Sequence, residues 1–171
     1  MPQDRPKVLI ETSEGDIEVE LWQDRSPRTV ENFLQYVDEG FYDGTVFHRI
    51  IPNFMIQGGG LDRDLNKKRT HRPIQNEATT EKKNERGTLA MARTTEIDSA
   101  TAQFFINLAD NDFLDHTGEA PDQYGYAAFG EVTDGMDVVD KIAKVETTQK
   151  EGRQNVPVRP VLINSIRRTE N

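Results

Sequence analysis

The sequence predicts a mainly β protein whose antiparallel strands form a barrel or a sandwich. Eight short segments rich in Val, Ile, Leu and Phe alternate with turn residues, whereas only two segments show the spacing of an amphipathic helix. Many short strands with few helices are typical of both architectures, and the pattern alone does not choose between them. The chain of 171 residues has no repeat, low-complexity tract or linker, so one domain spanning residues 1–171 is expected.

The first part of the chain predicts a β-hairpin followed by a helix. Two apolar runs, Lys7–Thr12 and Asp16–Trp22, flank the turn sequence Ser13-Glu14-Gly15. The helix is expected within Ser26–Gly40, because serine suits the N-cap and proline suits the first helical position. Apolar residues follow at helical spacing and glycine ends the segment, so one face of this helix should be buried.

The rest of the chain predicts six further strands, a second helix and two long loops. The strands are expected at Val46–Ile51, Met55–Gln57, Gly87–Met91, Phe104–Leu108, Tyr126–Val132 and Val161–Arg167. The second helix is expected at Met136–Ala143. Two polar stretches without sustained periodicity, 61–84 and 110–124, predict surface loops, and long irregular loops in a compact domain are often functional.

The composition excludes several functional classes. Acidic residues number 30 and basic residues 21, and the net charge of −9 repels nucleic-acid phosphates and anionic lipids, so neither nucleic acid nor a membrane is an expected partner. With no cysteine, the chain has no disulfide, thiol nucleophile or thiolate ligand. No metal site is expected, because His48, His71 and His116 lack paired ligand spacing. Hydrolysis is not indicated, since Ser99 has no accompanying histidine and acid signature.

The apolar segments also give an expectation about location. Val8-Leu9-Ile10 is too short for the core of a signal peptide, and Glu11 follows it directly. No segment has the length of a membrane span. We therefore expect a cytoplasmic protein.

The stretch FHRIIPNFMIQGGG, which begins at Phe47, carries the most informative chemistry. It combines a lone arginine, aromatic rings, a thioether and an amide, a set that suits the handling of a proline peptide without a nucleophile or a metal. In a regular strand, Phe47, Arg49 and Ile51 would share one face. Met55 and Gln57 would likewise share a face, which places an amide beside an apolar surface.

Each of these residues also has a structural explanation. Taken singly, Arg49 would more often be a solvated cation on a strand face, and Phe54, Met55 and Phe105 would more often belong to the core. Residues 58–60 are all glycine, which could suggest phosphate binding, but the lysine and the spacing of a P-loop are missing. We interpret them as backbone that must approach closely beside a cleft.

The same stretch closely resembles the cyclophilins, the cyclosporin-sensitive family of peptidyl-prolyl cis-trans isomerases. The resemblance continues in order through Gly87–Arg93, Ser99–Asn107 and Phe129–Val139, and it covers most of the chain. It implies a closed eight-stranded antiparallel β-barrel with an α-helix covering each open end. The similarity is greatest to the small bacterial cytoplasmic members of the isomerase B type.

The resemblance also implies an activity and its partners. The expected reaction is cis-trans isomerisation of X-Pro peptide bonds, without a cofactor or a metal. The expected substrates are proline-containing peptides and unfolded or flexible protein chains, so that the biological role would be to assist protein folding. A monomer is expected.

The site residues follow from this chemistry and from the resemblance. Arg49 is expected to donate to the prolyl nitrogen, which regains its lone pair in the twisted transition state, and Gln57 is expected to bind the substrate carbonyl. By similarity to the family, the substrate-binding residues are Phe54, Met55, Ala92, Arg93, Gln103, Phe105, Phe113, Leu114 and Tyr126.

Three of these positions depart from the pattern that many members share. Arg93 stands in place of asparagine, Phe113 in place of tryptophan and Tyr126 in place of histidine. The last two departures resemble the bacterial branch and imply weak cyclosporin binding.

Two alternatives of other classes remain open. A proline-peptide binding module with negligible turnover would retain the same pocket. A barrel that encloses a small apolar ligand would need an empty interior, whereas Phe33, Phe104 and Phe129 predict a filled one.

Overall fold

The computed structural model describes residues 5–79 and 83–169, and its main feature is a closed antiparallel barrel of eight strands. The described residues contain ten strands, of which β8 and β9 form a separate hairpin. In chain order they are β1 (Lys7–Thr12), β2 (Gly15–Leu21), β3 (Thr45–Ile51), β4 (Met55–Asp62), β5 (Thr88–Met91), β6 (Phe104–Asn107), β7 (Ala128–Asp134), β8 (Thr147–Lys150), β9 (Arg153–Pro157) and β10 (Leu162–Thr169). The barrel order is β1-β10-β3-β4-β6-β5-β7-β2, and β2 pairs with β1 to close it. The predicted barrel is therefore confirmed.

Two helices pack against this barrel, α1 (Pro27–Asp38) and α2 (Met136–Ile142). Both helices contribute their apolar face to one interior cluster of buried side chains. The contributing residues include Val30 and Phe33 of α1 and Val139 and Ile142 of α2. Both helices lie where the sequence predicts them. None of the helices in the described residues is long and apolar enough to cross a membrane.

The start of α1 is stabilised by a side chain that is remote in sequence. Ser26 precedes Pro27 as expected, but its hydroxyl donates to the carbonyl of Ala128 at 3.0 Å instead of capping the helix. The Glu77 carboxylate accepts from the backbone N–H of Thr29 at 2.7 Å and from that of Arg28 at 3.3 Å. A carboxylate at this end of a helix satisfies unpaired N–H groups and suits the helix dipole.

The barrel interior is filled with aromatic rings. The ring of Phe33 lies 5.2 Å from those of Tyr42 and Phe129 and 5.6 Å from that of Phe104, measured between centroids. These side chains are fully buried. The interior therefore has the packing of a solid core rather than that of a ligand cavity.

The structure differs from the sequence-based expectation in two elements. Strand β4 continues through the glycines to Asp62, although only Met55–Gln57 carries the pattern of a strand. The hairpin of β8 and β9 was not expected, because its residues are largely polar and half exposed and show no alternation. Apart from the end of β4, the described residues of the two predicted loops contain only isolated bridges and one 3₁₀ turn at Asp112–Leu114.

Candidate active site

A pocket of about 120 Å³ opens on the outer surface of the barrel beside β3, β4 and β6. Nine of the eleven predicted site residues line it: Arg49, Phe54, Met55, Gln57, Ala92, Arg93, Phe105, Leu114 and Tyr126. The two others lie next to it. Gln103 lines an adjoining groove of about 280 Å³ that shares Gln57 with the pocket. Phe113 is 73% exposed, and its ring centroid lies 5.5 Å from that of Phe54 at the pocket edge.

Strand alternation explains how the pocket side chains reach the outer surface. In β4, Met55 and Gln57 line the pocket, while Ile56 between them is buried in the barrel interior. In β6, Phe105 lines the pocket and Phe104 points into the interior. The two strands pair with Gln57 opposite Phe105, so the amide and the apolar wall lie side by side.

Strand β3 does not follow the regular alternation that we expected. Its register with β4 shifts between Thr45 and Phe47 and again between Phe47 and Arg49. Phe47 therefore lies in the interior, with its ring 6.1 Å from that of Phe104, while Arg49 is exposed and lines the pocket. The prediction that these two side chains share a face was wrong, because a bulge adds a residue and reverses the facing of the residues after it.

The polar side of the pocket is a chain of hydrogen bonds. Arg49 Nη1 donates to Gln57 Oε1 at 3.3 Å, and Gln57 Nε2 donates to Gln103 Oε1 at 3.0 Å. A primary amide has two N–H donors, and no described residue uses the second one of Gln57. The glycine interpretation holds at Gly60, where a Cβ would stand 2.3 Å from Cγ of Gln103.

The apolar side of the pocket is a cluster separate from the barrel interior. Met55, Ala90, Phe105 and Leu114 are buried together, and the half-buried Phe54, Ile51, Ala92 and Tyr126 pack against them. The rings of Phe105 and Tyr126 meet edge to face at 5.6 Å. This wall can contact a small saturated ring from several directions.

Arg93 supports the pocket wall rather than presenting a free charge. Its guanidinium donates to the carbonyl oxygens of Gly125, Thr94 and Pro121, each at 2.9 Å, and lies 4.9 Å from the centre of the Tyr126 ring. Hydrogen bonds and the cation–π contact both restrict this side chain. Arg93 thus connects the end of β5 to the 110–124 loop.

A family match covers nearly all of the chain, including every residue that lines this pocket. The sequence model of the family described as cyclophilin type peptidyl-prolyl cis-trans isomerase matches residues 7–168. The chain belongs to the cyclophilins.

Named relatives and solved structures agree with this membership. This cyclophilin is 55% identical over 160 residues to peptidyl-prolyl cis-trans isomerase cyp18 of Streptomyces antibioticus, and the match covers 94% of this chain and 96% of the relative. It is 54% identical to peptidyl-prolyl cis-trans isomerase B of Escherichia coli, over 93% of this chain and 97% of the relative.

Crystal structures of a cyclophilin type peptidyl-prolyl cis-trans isomerase from Cryptosporidium parvum share the fold at 27% identity. One has a TM-score of 0.78 and covers 98% of this chain and 99% of that chain. A second, determined in the presence of the dipeptide Ala-Pro, has a TM-score of 0.77 and covers 96% and 99%.

Among the described residues that line the cyclophilin pocket, none is a carboxylate or an imidazole. His48 lies on a different cavity, is 5% exposed, and its Nδ1 has no hydrogen-bond partner within the described residues. Burial lowers the pKa of His48 to about 4, and the positive charges of Arg153 and Arg49 add to this effect.

Sequence reasoning missed the residues that form the far side of the adjoining groove. Lys67 and Thr70 come from the 61–84 loop, and Ser99 comes from the segment after β5. The loop is held there by the Ile74–Ala100 bridge and by the N–H of Lys68, which donates to the Gly60 carbonyl at 3.0 Å. A polar loop without periodicity gives no signal for such long-range pairing.

Proposed function

We propose that this cyclophilin isomerises X-Pro bonds by holding the prolyl ring in the apolar pocket and directing Arg49 at the prolyl nitrogen. The observation that carries the proposal is that Arg49 and the apolar wall line one pocket although they come from different strands and loops. An exposed guanidinium at the edge of an apolar pocket can contact a substrate backbone without displacing the ring.

The energetics of prolyl isomerisation favour this arrangement. Rotation breaks amide resonance and meets a barrier of about 18–20 kcal/mol. In the twisted state the nitrogen is pyramidal and basic, so a donor aimed at it stabilises the transition state more than the planar ground state. Arg49 supplies such a donor, and its hydrogen bond to Gln57 at 3.3 Å orients the guanidinium. Preorganised donors of this kind contribute about 2.7–4 kcal/mol in other enzymes.

Gln57 is proposed to hold the carbonyl that precedes the proline. It lies between Arg49 and Gln103, and its unused N–H can donate to a substrate oxygen. Gln57 would then fix the carbonyl, while Phe54, Phe105 and the neighbouring wall hold the prolyl ring. The C–N bond that joins the carbonyl to the ring is left as the axis of rotation. Catalysis by positioning and electrostatics then needs no proton transfer.

The proposed partners are proline-containing peptides and unfolded or flexible chains, and the proposed role is to assist protein folding. The crystal structure of the Cryptosporidium relative in the presence of Ala-Pro supports a proline peptide as the ligand.

The strands of the barrel come from residues 7–169, which supports one domain over 1–171. A monomer and a cytoplasmic location stay predictions, as does the absence of nucleic-acid and membrane partners, which rests on the charge of −9.

The experiment that tests the proposal measures relaxation of the cis-trans equilibrium of a short proline peptide with and without the protein. We expect the rate to rise in proportion to enzyme concentration, because the uncatalysed reaction takes tens of seconds. A binding module with negligible turnover would bind the peptide in calorimetry but leave the rate unchanged. That outcome would contradict the proposed mechanism while leaving the pocket assignment intact.

A further inference from the structure

Three buried asparagines lie behind the apolar wall of the pocket. Asn84 is 1% exposed, Asn107 is 0% exposed and Asn111 is 4% exposed. None of the three lines the pocket. Buried amides are costly unless their donors and acceptors are satisfied, so their bonding pattern shows what they hold.

Asn107 in β6 is the centre of this asparagine cluster. Its Nδ2 donates to Oδ1 of Asn84 at 3.2 Å and to Oγ1 of Thr88 at 2.9 Å, and its Oδ1 accepts from Nδ2 of Asn111 at 2.8 Å. Asn107 is also paired opposite Met55, a residue of the pocket wall. The cluster is therefore anchored to a barrel strand.

From that anchor the two other asparagines reach the backbone of three wall residues. Asn111 Nδ2 donates to the carbonyl of Phe54 at 2.9 Å. Asn84 Nδ2 lies 3.2 Å from the carbonyl of Leu114 and 3.3 Å from that of Tyr126. It also lies 3.2 Å from a carboxylate oxygen of Asp115, which accepts from the backbone N–H of Asn84 at 2.6 Å.

These three wall residues lie outside the barrel strands. Phe54 is in the turn between β3 and β4, Leu114 is in the 3₁₀ turn, and Tyr126 precedes β7. Strand pairing therefore does not fix the distances between these three residues. It does fix the distance between Met55 and Phe105, which lie in the paired strands β4 and β6. The asparagine amides join the three segments to one another and to β6.

We infer that Asn84, Asn107 and Asn111 form a positioning unit that sets the width of the prolyl pocket and thereby the affinity for substrate. The inference rests on the proposed function. None of the three lines the substrate pocket, so they act through the backbone of Phe54, Leu114 and Tyr126. Within the described residues, Arg49 and Gln57 make no hydrogen bond to any of the three asparagines.

This arrangement predicts a separation of kinetic parameters. Removing the amide of Asn111 deletes one of the two hydrogen bonds that the Phe54 carbonyl accepts, the other coming from the N–H of Leu108 at 2.9 Å. The Phe54 segment should loosen, which weakens binding of the prolyl ring in both ground and transition states. KM should therefore rise about fivefold while kcat stays within about twofold of wild type, which is the signature of lost uniform binding. A defect in the Arg49 donor would instead lower kcat.

The test compares Asn111→Ala with a control of similar burial. Thr45 is 0% exposed, its hydroxyl donates to the Tyr42 carbonyl at 2.7 Å, and it lines neither the pocket nor the adjoining groove. Thr45→Val deletes one buried hydrogen bond and should lower the melting temperature without changing KM. Asn84→Ala is the second test variant, because it loosens Leu114 and Tyr126 rather than Phe54, and its KM should also rise.

A double-mutant cycle shows whether Asn111 acts through Phe54. In a Phe54→Ala background, Asn111→Ala should raise KM by less than about twofold, since the side chain that it positions is gone. Unchanged KM in folded Asn111→Ala and Asn84→Ala, or a full effect of Asn111→Ala in the Phe54→Ala background, would overturn the inference. Wild type without isomerase activity would instead overturn the proposed function, so the two failures are distinct.

Discussion

Replacing Arg49 tests the electrostatic mechanism most directly. Arg49 is exposed, and the only hydrogen bond that its side chain makes within the described residues is the 3.3 Å contact with Gln57. Arg49→Ala should therefore change the free energy of unfolding by less than about 0.5 kcal/mol. A charge-assisted contact made chiefly in the transition state is worth about 3 kcal/mol, so kcat/KM should fall about 100-fold.

The assay is cis-trans relaxation of a proline peptide, and it needs two further variants. Arg49→Lys keeps the charge but not the planar fork of donors, so it should recover only part of the lost rate. Arg167→Ala makes the same change in net charge on β10, away from the pocket, and should retain wild-type activity. A folded Arg49→Ala enzyme with wild-type kcat/KM would refute the mechanism. Equal losses in Arg49→Ala and Arg167→Ala would show that only net charge matters.

The site and the buried histidine lead to three more predictions. Phe113→Trp should tighten cyclosporin by about 10- to 100-fold in an inhibitor titration, because an indole N–H adds a donor that phenylalanine lacks, and equal inhibition constants would exclude this residue as the cause. Between about pH 6 and 8, kcat/KM should stay flat and survive a chelator, whereas a histidine general base would produce a limb near its usual pKa of about 6.5. Disappearance of such a limb in a folded His48→Gln variant would argue for that base. The free energy of unfolding should fall as the pH drops from about 6.5 to 4, because the unfolded chain protonates His48 before the folded protein does. Chemical denaturation should show that loss, about 3 kcal/mol at most, in wild type relative to His48→Gln, and identical pH profiles would contradict the depressed pKa.

The local elements were predictable because their signals are short-range. Apolar alternation marks β1 and β2, and the serine-proline start with helical spacing marks α1. Hydrophobic patterning could not choose a barrel over a sandwich, since both bury alternate residues of antiparallel strands. The resemblance to cyclophilins supplied that choice, and the closed order of the eight strands, in which the last strand β2 pairs with the first strand β1, confirms it.

The candidate site was predictable in its residue types more than in its geometry. The motif around Arg49 and Gln57 indicates a donor, an amide and an apolar wall from the residue types alone. The predicted facing of Phe47 was wrong, because a bulge depends on the partner strand and not on the residues of β3 alone. The sequence shows that the side chain of Arg93 is cationic. It does not show that this guanidinium binds the carbonyl oxygens of Gly125 and Pro121, about 30 residues further along the chain.

The amino-acid sequence by itself determined both helices, most of the barrel-strand segments, the lack of thiol chemistry and the set of side chains available to the pocket. These properties depend on neighbouring residues and on composition, so they can be read from a linear chain. The resemblance to the cyclophilins implied that Phe54, Leu114 and Tyr126 meet around the substrate. Only the tertiary structure showed that the buried amides of Asn84 and Asn111 reach the backbone carbonyls of all three. Such contacts join residues that are tens of positions apart, and they form only when barrel closure brings β6 and the loops together.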